Sequence, residues 1–306
     1  MENNEKISKT NKIFSVIIIL LVISVLAFGA FLIRDKVISK KSNEDKKEDI
    51  IKYEEEVRVD ASLATQPLTD AYKKGLDNFN IKLDYTNTDP AYTKLINNET
   101  DLIIVTEPSE EEKKRAKDKG VELVVTKVVN EGFVFYTNKK NKVTDLTLDQ
   151  IRKIYTGEIT NWKQVGGEDA KIIAYQRPVN SGSQTGILSL VMNGKKMKEP
   201  LKEEYIESMA GIIDVVSNYD NSKDSIGYSY YYYATTMYSN ENLRFFKVNG
   251  VEPNRDTIKD GSYPIITSYY IVTRKDDTKE ATQKLKEAML SSRGQKIANE
   301  AGYIGL

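Results

Sequence analysis

The sequence predicts an α/β protein, a parallel sheet with helices on its faces, carried behind one N-terminal membrane-spanning helix. Three observations lead there. Residues 13–33 hold no charged side chain between Lys12 and Arg34. From residue 57 onward, short β-branched or aromatic runs alternate with amphipathic stretches, the order expected of βαβ units. The chain has 306 residues, enough for one large domain or two lobes of ordinary size.

The elements follow in order. At about 1.5 Å per residue, residues 13–33 make roughly 31 Å of helix, about the thickness of a bilayer's hydrocarbon core. A cleavable signal peptide is the rival reading, with small residues at Ala27 and Ala30. Its apolar region usually runs only about 7–15 residues, so the longer segment reads as an uncleaved anchor. Lys6, Lys9 and Lys12 precede it and Arg34, Lys36, Lys40 and Lys41 follow, so charge alone does not orient it. Residues 34–56, dense in both signs of charge, read as a solvated stalk.

Beyond the stalk, VRVDA reads as a strand, PLTDAYKKGLDNF as a helix, IKLDYT as a strand and AYTKLINNE as a helix. DLIIVT is an unbroken apolar strand, and the helix after it has Ser109 as N-cap and Gly120 as its stop. VELVVTKVV and GFVFYT read as two strands, LTLDQIRKIYTG as a helix, KIIAYQ as a strand and TGILSLVMN as a helix. IESMAGIIDVVSN is a helix and SIGYS a strand leading into a tyrosine run. That run reads as amphipathic packing, with an aromatic sugar platform as the alternative. YPIITSYYIVTRK closes the sheet as a long strand, and residues 278–302 read as one amphipathic helix.

Composition removes much chemistry. The 45 basic and 45 acidic residues balance, so no global field points to nucleic acid. With no histidine and no cysteine there is no Ser-His-Asp or Cys-His mechanism, no structural zinc and no iron–sulfur cluster. No catalytic residue, metal or cofactor is expected.

Ligands of open α/β sheets bind beyond the carboxyl ends of strands, where helices begin. Three such junctions carry suggestive side chains. In DASLATQPL (60–68), Ser62 and Thr65 serve equally as donors to an anion or as helix caps. In VTEPSEEE (105–112), Glu107 either complements a helix N-terminus or accepts the proton of a protonated oxyanion, which fully ionised sulfate lacks. In RPVNSGSQTG (177–186), Arg177 offers a planar fork for a tetrahedral anion, and Ser181, Gly182 and Ser183 precede a helix whose first N–H groups form an anion nest. The loop is neither G-x-x-x-x-G-K-[ST] nor G-x-S-x-G, so a phosphate-cradling P-loop and a hydrolase nucleophile elbow both fail.

DLTLDQIRKIYTGEITNWKQVGG (145–167) followed by YQRPVNSGSQTG (175–186) closely resembles the phosphate-binding proteins of bacterial ABC-type phosphate uptake systems. SIGYSYYY, VNGVEP, SYPIITSYYIVTRK and the terminal GYIGL fit the same family in the same order. The resemblance covers roughly residues 57–306 and implies a two-lobed, hinged periplasmic-binding-protein-like (type II) fold without chemistry. Lobe 1 would comprise residues 57–136 plus 267–306, and lobe 2 residues 137–266. The family's anion site falls on Ser62, Ala64, Thr65, Glu107, Arg177, Ser181, Gly182 and Ser183. Ala61 and Leu63 stand where the family's first loop has a glycine and a hydroxyl, Ser183 replaces a threonine, and Glu107 is a methylene longer than the usual aspartate.

The resemblance further implies a monomer that hands inorganic phosphate or a similar oxyanion to an ABC transporter permease. It orients the anchor, with residues 1–12 cytoplasmic and the binding domain outside a Gram-positive-like cell membrane. A sensory or accessory module of the same fold for another ligand is the alternative, and a surface hydrolase a distant third.

Overall fold

The computed structural model describes residues 51–218 and 222–306. The expected cytoplasmic N-terminus, the anchor at 13–33 and residues 34–50 of the stalk lie outside the described residues. Among those described, no helix is long and apolar enough to cross a membrane.

The strands are β1 (Tyr53–Ser62), β2 (Phe79–Thr86), β3 (Leu102–Val105), β4 (Leu123–Asn138), β5 (Asp145–Leu146), β6 (Ile173–Ala174), β7 (Ser225–Tyr230), β8 (Leu243–Phe245), β9 (Lys247–Val248) and β10 (Ile266–Arg274). The helices are α1 (Gln66–Gly75), α2 (Thr88–Ile96), α3 (Glu110–Asp118), α4 (Leu148–Thr156), α5 (Gly182–Gly186), α6 (Met209–Asn218), α7 (Arg255–Lys259), α8 (Glu280–Leu290) and α9 (Ser292–Glu300). A 3-10 turn, Leu63–Thr65, leads into α1, and a π-helical stretch, Ile187–Met192, prolongs α5.

Several expectations needed correction. The main sheet runs β2-β1-β3-β10-β4-β7-β6 with β8 also on β4, and it is mixed rather than parallel. β1 pairs in parallel with β2 and β3, but β10 returns from the end of the chain and inserts antiparallel between β3 and β4. The two strands expected at 121–129 and 132–137 are one strand, β4. Its first part pairs with β10 as far as Gly132, and its second pairs with β7 and β8. β4 therefore threads both halves of the sheet. β1 also starts inside the expected stalk, because Tyr53 stacks on Phe79 at 4.6 Å and pairs with it across the strands. The single helix expected at 278–302 breaks at Ser291, whose backbone is extended and whose Oγ accepts the Gly294 N–H at 3.2 Å.

Local signals held where capping chemistry is complete. Ser109 Oγ accepts the Glu112 N–H, and Glu112 Oε2 accepts the Ser109 N–H at 2.7 Å, a reciprocal capping box that fixes the start of α3. Gly120 follows that helix at φ +70°, a left-handed backbone that glycine adopts without strain.

Both faces of the sheet are covered, which explains the unbroken apolar run of β3. Leu102 and Ile104 join the main core with Leu68 and Tyr72 of α1. Ile103 and Val105 face the other way, onto Ala91, Tyr92 and Leu95 of α2. Tyr228, Tyr230, Tyr232 and Tyr233 are buried in the main core, and Tyr230 and Tyr233 also reach a cavity between the strand ends.

Candidate anion-binding site

β2, β1 and β3 lie side by side and parallel, so their carboxyl ends emerge together. Ser62 ends β1, Asn87 follows β2 and Thr106 follows β3. All three line one cavity of about 490 Å³. Its other wall is made of Arg177, residues 180–183, residues 207–209, Tyr230 and Tyr233. Four helical N-termini therefore meet here: the 3-10 turn into α1, then α2, α5 and α6. Each presents first-turn N–H groups without intrahelical acceptors and a partial positive charge.

At α5, Ser181 is the N-cap, and its Oγ accepts the Gln184 N–H at 3.3 Å. That leaves the Gly182 and Ser183 N–H groups as the helix's first, free of an intrahelical partner. At the 3-10 turn and at α2, neither Ser62 nor Asn87 caps with its side chain. Ser208 caps α6 by accepting the Gly211 N–H at 2.9 Å.

Arg177 is the cation of the site. Its NH1 donates to Ser183 Oγ at 3.0 Å and its NH2 to the Glu207 carbonyl at 2.7 Å. Its backbone N–H donates to Gln184 Oε1 and to the Tyr228 hydroxyl, both at 3.1 Å. Burial pulls the guanidinium below its ordinary pKa, and the groups that push back are tyrosines rather than a carboxylate. Among the described residues no acidic side chain forms an ion pair with it. A desolvated cation without a counter-charge is costly, and a bound anion would relieve that cost.

Gly182 lies close to the segments that follow β2 and β3. A Cβ there would lie 2.9 Å from both Thr88 Oγ1 and Thr106 Oγ1, so only glycine permits this approach across the cavity.

Of the residues expected from the sequence, Ser62, Ala64, Arg177, Ser181, Gly182 and Ser183 line the cavity, whereas Thr65 and Glu107 do not. Thr65 is fully buried, and its hydroxyl donates to the Ile104 carbonyl at 2.7 Å while lying 3.1 Å from Ser62 Oγ. It fixes the first loop to β3. Glu107 is half-buried beside the wall, where its Oε1 accepts the Ser189 hydroxyl at 2.6 Å. Its neighbour Thr106 takes the wall position. Leu63 lines the cavity half-exposed, where the resembled family has a hydroxyl.

The sequence reading missed residues 87–90 and 207–209. The first was findable by the rule already applied, since it joins a strand to a helix. The second carried only Ser208 ahead of an apolar-periodic run, which marks any helix start.

An open α/β sheet whose two lobes enclose a ligand-sized cavity is the form of a binding protein. Residues 60–291 match the family model described as a PBP superfamily domain, and the chain belongs to that superfamily. Over 182 residues it is 35% identical to "Phosphate-binding protein PstS" of Borreliella burgdorferi, covering 58% of this chain and 63% of the relative's length. The crystal structure of PstS from Borrelia burgdorferi matches with a TM-score of 0.54 at 28% identity, covering 82% of this chain and 99% of that one. A putative phosphate ABC transporter substrate-binding protein with bound phosphate from Clostridium perfringens matches with a TM-score of 0.64 at 24% identity. It covers 82% of this chain and 100% of its own and speaks for the fold alone.

Proposed function

We propose that this chain is a non-catalytic, extracytoplasmic binding protein that captures inorganic phosphate between two lobes and delivers it to an ABC transporter permease. The observation that carries the reading is Arg177, desolvated and without a carboxylate, beside four helix N-termini. The PstS relatives, named as phosphate-binding proteins, support phosphate as the ligand. Residues 57–136 plus 267–306 form lobe 1, to which β1 adds residues 53–56, and residues 137–266 form lobe 2, with β4 running from one half of the sheet into the other. The binding groups are Ser62 and Ala64 of the first loop, Arg177, and Ser181, Gly182 and Ser183. Thr65 acts by fixing that loop.

Glu107 serves as the proton acceptor only if its carboxylate leaves Ser189 and turns toward the cavity. Residues 13–33 tether the protein to the membrane, with residues 1–12 inside and the monomeric binding domain outside. Calorimetry of the purified full chain with phosphate, sulfate, arsenate and molybdate tests the reading. Phosphate and its close analogue arsenate should saturate one site, and binding of none of the four overturns it.

A further inference from the structure

We propose that Tyr303, in the C-terminal GYIGL run, is a positioning residue of the anion site: its hydroxyl holds the Ala64 carbonyl and so aims the first loop's N–H groups at the cavity. This rests on the phosphate-binding reading above and adds to it a residue that touches no ligand.

The first loop needs such a hold. Leu63–Thr65 is a single 3-10 turn at the end of β1, and the Ser62 side chain does not cap it. Ser62, Leu63 and Ala64 line the cavity. Leu63 and Ala64 have no side-chain donor, so what they offer an anion is backbone N–H. In a helical turn the N–H groups point toward the N-terminal end and the carbonyls point away from it. Fixing a carbonyl from behind therefore fixes the direction of the donors in front.

Tyr303 supplies that hold from 239 residues away. Its buried hydroxyl donates to the Ala64 carbonyl at 3.0 Å. Desolvation raises the phenol's pKa, so the hydroxyl keeps its proton and remains a donor.

The ring itself is fixed from the other side. It stacks on Tyr232 with centroids 3.7 Å apart and planes 20° from parallel. The Tyr232 hydroxyl donates to the Ala301 carbonyl at 2.9 Å. Arg255 of α7 donates to the Gly302 carbonyl and, at 2.8 Å, to the Tyr303 carbonyl. The Asn130 N–H of β4 donates to the Ile304 carbonyl at 2.7 Å. Chain ends usually fray unless tied down, and this one is tied at four successive carbonyls. In the division proposed above, Tyr232 and Arg255 belong to lobe 2, whereas Tyr303 and the turn belong to lobe 1. Tyr303 thus stands between the binding turn and the opposite lobe.

Calorimetric titration of the purified full chain with inorganic phosphate, set beside thermal unfolding without ligand, tests the proposal on Tyr303→Phe and Tyr232→Phe. Each variant keeps its ring and loses one hydroxyl bond to a backbone carbonyl, but only the Tyr303 bond reaches the turn. Both should melt about 2–4 °C below the parent chain. Tyr303→Phe should bind phosphate about three- to tenfold more weakly, and Tyr232→Phe within about twofold of the parent. Parent-like affinity in Tyr303→Phe, or an equal loss in both variants, overturns the positioning role and leaves the phosphate reading intact. No phosphate binding by the parent chain overturns both. Should Tyr303→Phe fold poorly, hydrogen exchange of the parent chain decides. Phosphate should slow the amides of residues 62–65 and 301–304 together, and slowing at the turn alone overturns the role.

Discussion

Replacing Gly182 by alanine tests whether the cavity closes at that point. The new Cβ would sit 2.9 Å from Thr88 Oγ1, 2.9 Å from Thr106 Oγ1 and 3.4 Å from Thr106 Cγ2. Both hydroxyls belong to buried, β-branched side chains with little rotamer freedom, so relief requires the walls to part by roughly half an ångström. Forcing an extra methyl into a packed contact costs about 1–3 kcal/mol. An unliganded protein escapes that strain by opening, so the cost falls on the closed, liganded form. Phosphate affinity should then drop roughly 5- to 150-fold. The unliganded melting temperature should move by no more than about 2 °C. Calorimetry beside differential scanning calorimetry reads both. Unchanged affinity refutes the reasoning, as does an equal loss of stability without ligand, which would make Gly182 a folding residue only.

Arg177→Ala removes the site's guanidinium, and a hydrogen bond to a charged group contributes about 1.5–3 kcal/mol, so phosphate should bind at least tenfold more weakly by calorimetry. Glu107→Gln keeps an acceptor for Ser189 but removes the charge. If Glu107 selects the anion's proton, sulfate binding should rise relative to phosphate, and a variant equally blind to sulfate rejects that role. Glu131, wholly buried on β4, has its carboxyl pushed up from the ordinary 4.5 to about 8, first by desolvation. The folded state then holds that proton more tightly than the unfolded chain. The resulting stability is full below pH 4.5 and is lost as pH rises toward 8. Urea midpoints from pH 5 to 9 should fall for the parent chain and stay flatter for Glu131→Gln.

How much was legible depended on how local the deciding interaction was. Ser109 and Glu112 satisfy each other's N–H groups within four residues, so α3 could be placed from sequence. Asn130-Glu131-Gly132 looked like a break between strands because the pairing that carries β4 through it comes from Thr267 and Ile266, far along the chain. The mixed sheet was hidden for the same reason, since β10's position between β3 and β4 is set by partners more than a hundred residues away. At the site, Arg177 and the Ser181–Ser183 run stood out because a guanidinium, small hydroxyls and a helix start occur together. Residues 87–90 and 207–209 lacked any such combination. Glu107 was correctly placed beside β3, but Ser189, which turns it away, lies in a helix that sequence alone does not bring near.

A structure of the chain crystallised with phosphate bears most directly on the central claim. The account predicts a tetrahedral anion beside the Gly182 and Ser183 N–H groups, in contact with the Arg177 guanidinium and the 62–64 turn. An empty cavity at saturating phosphate, or an anion bound away from Arg177, would contradict it.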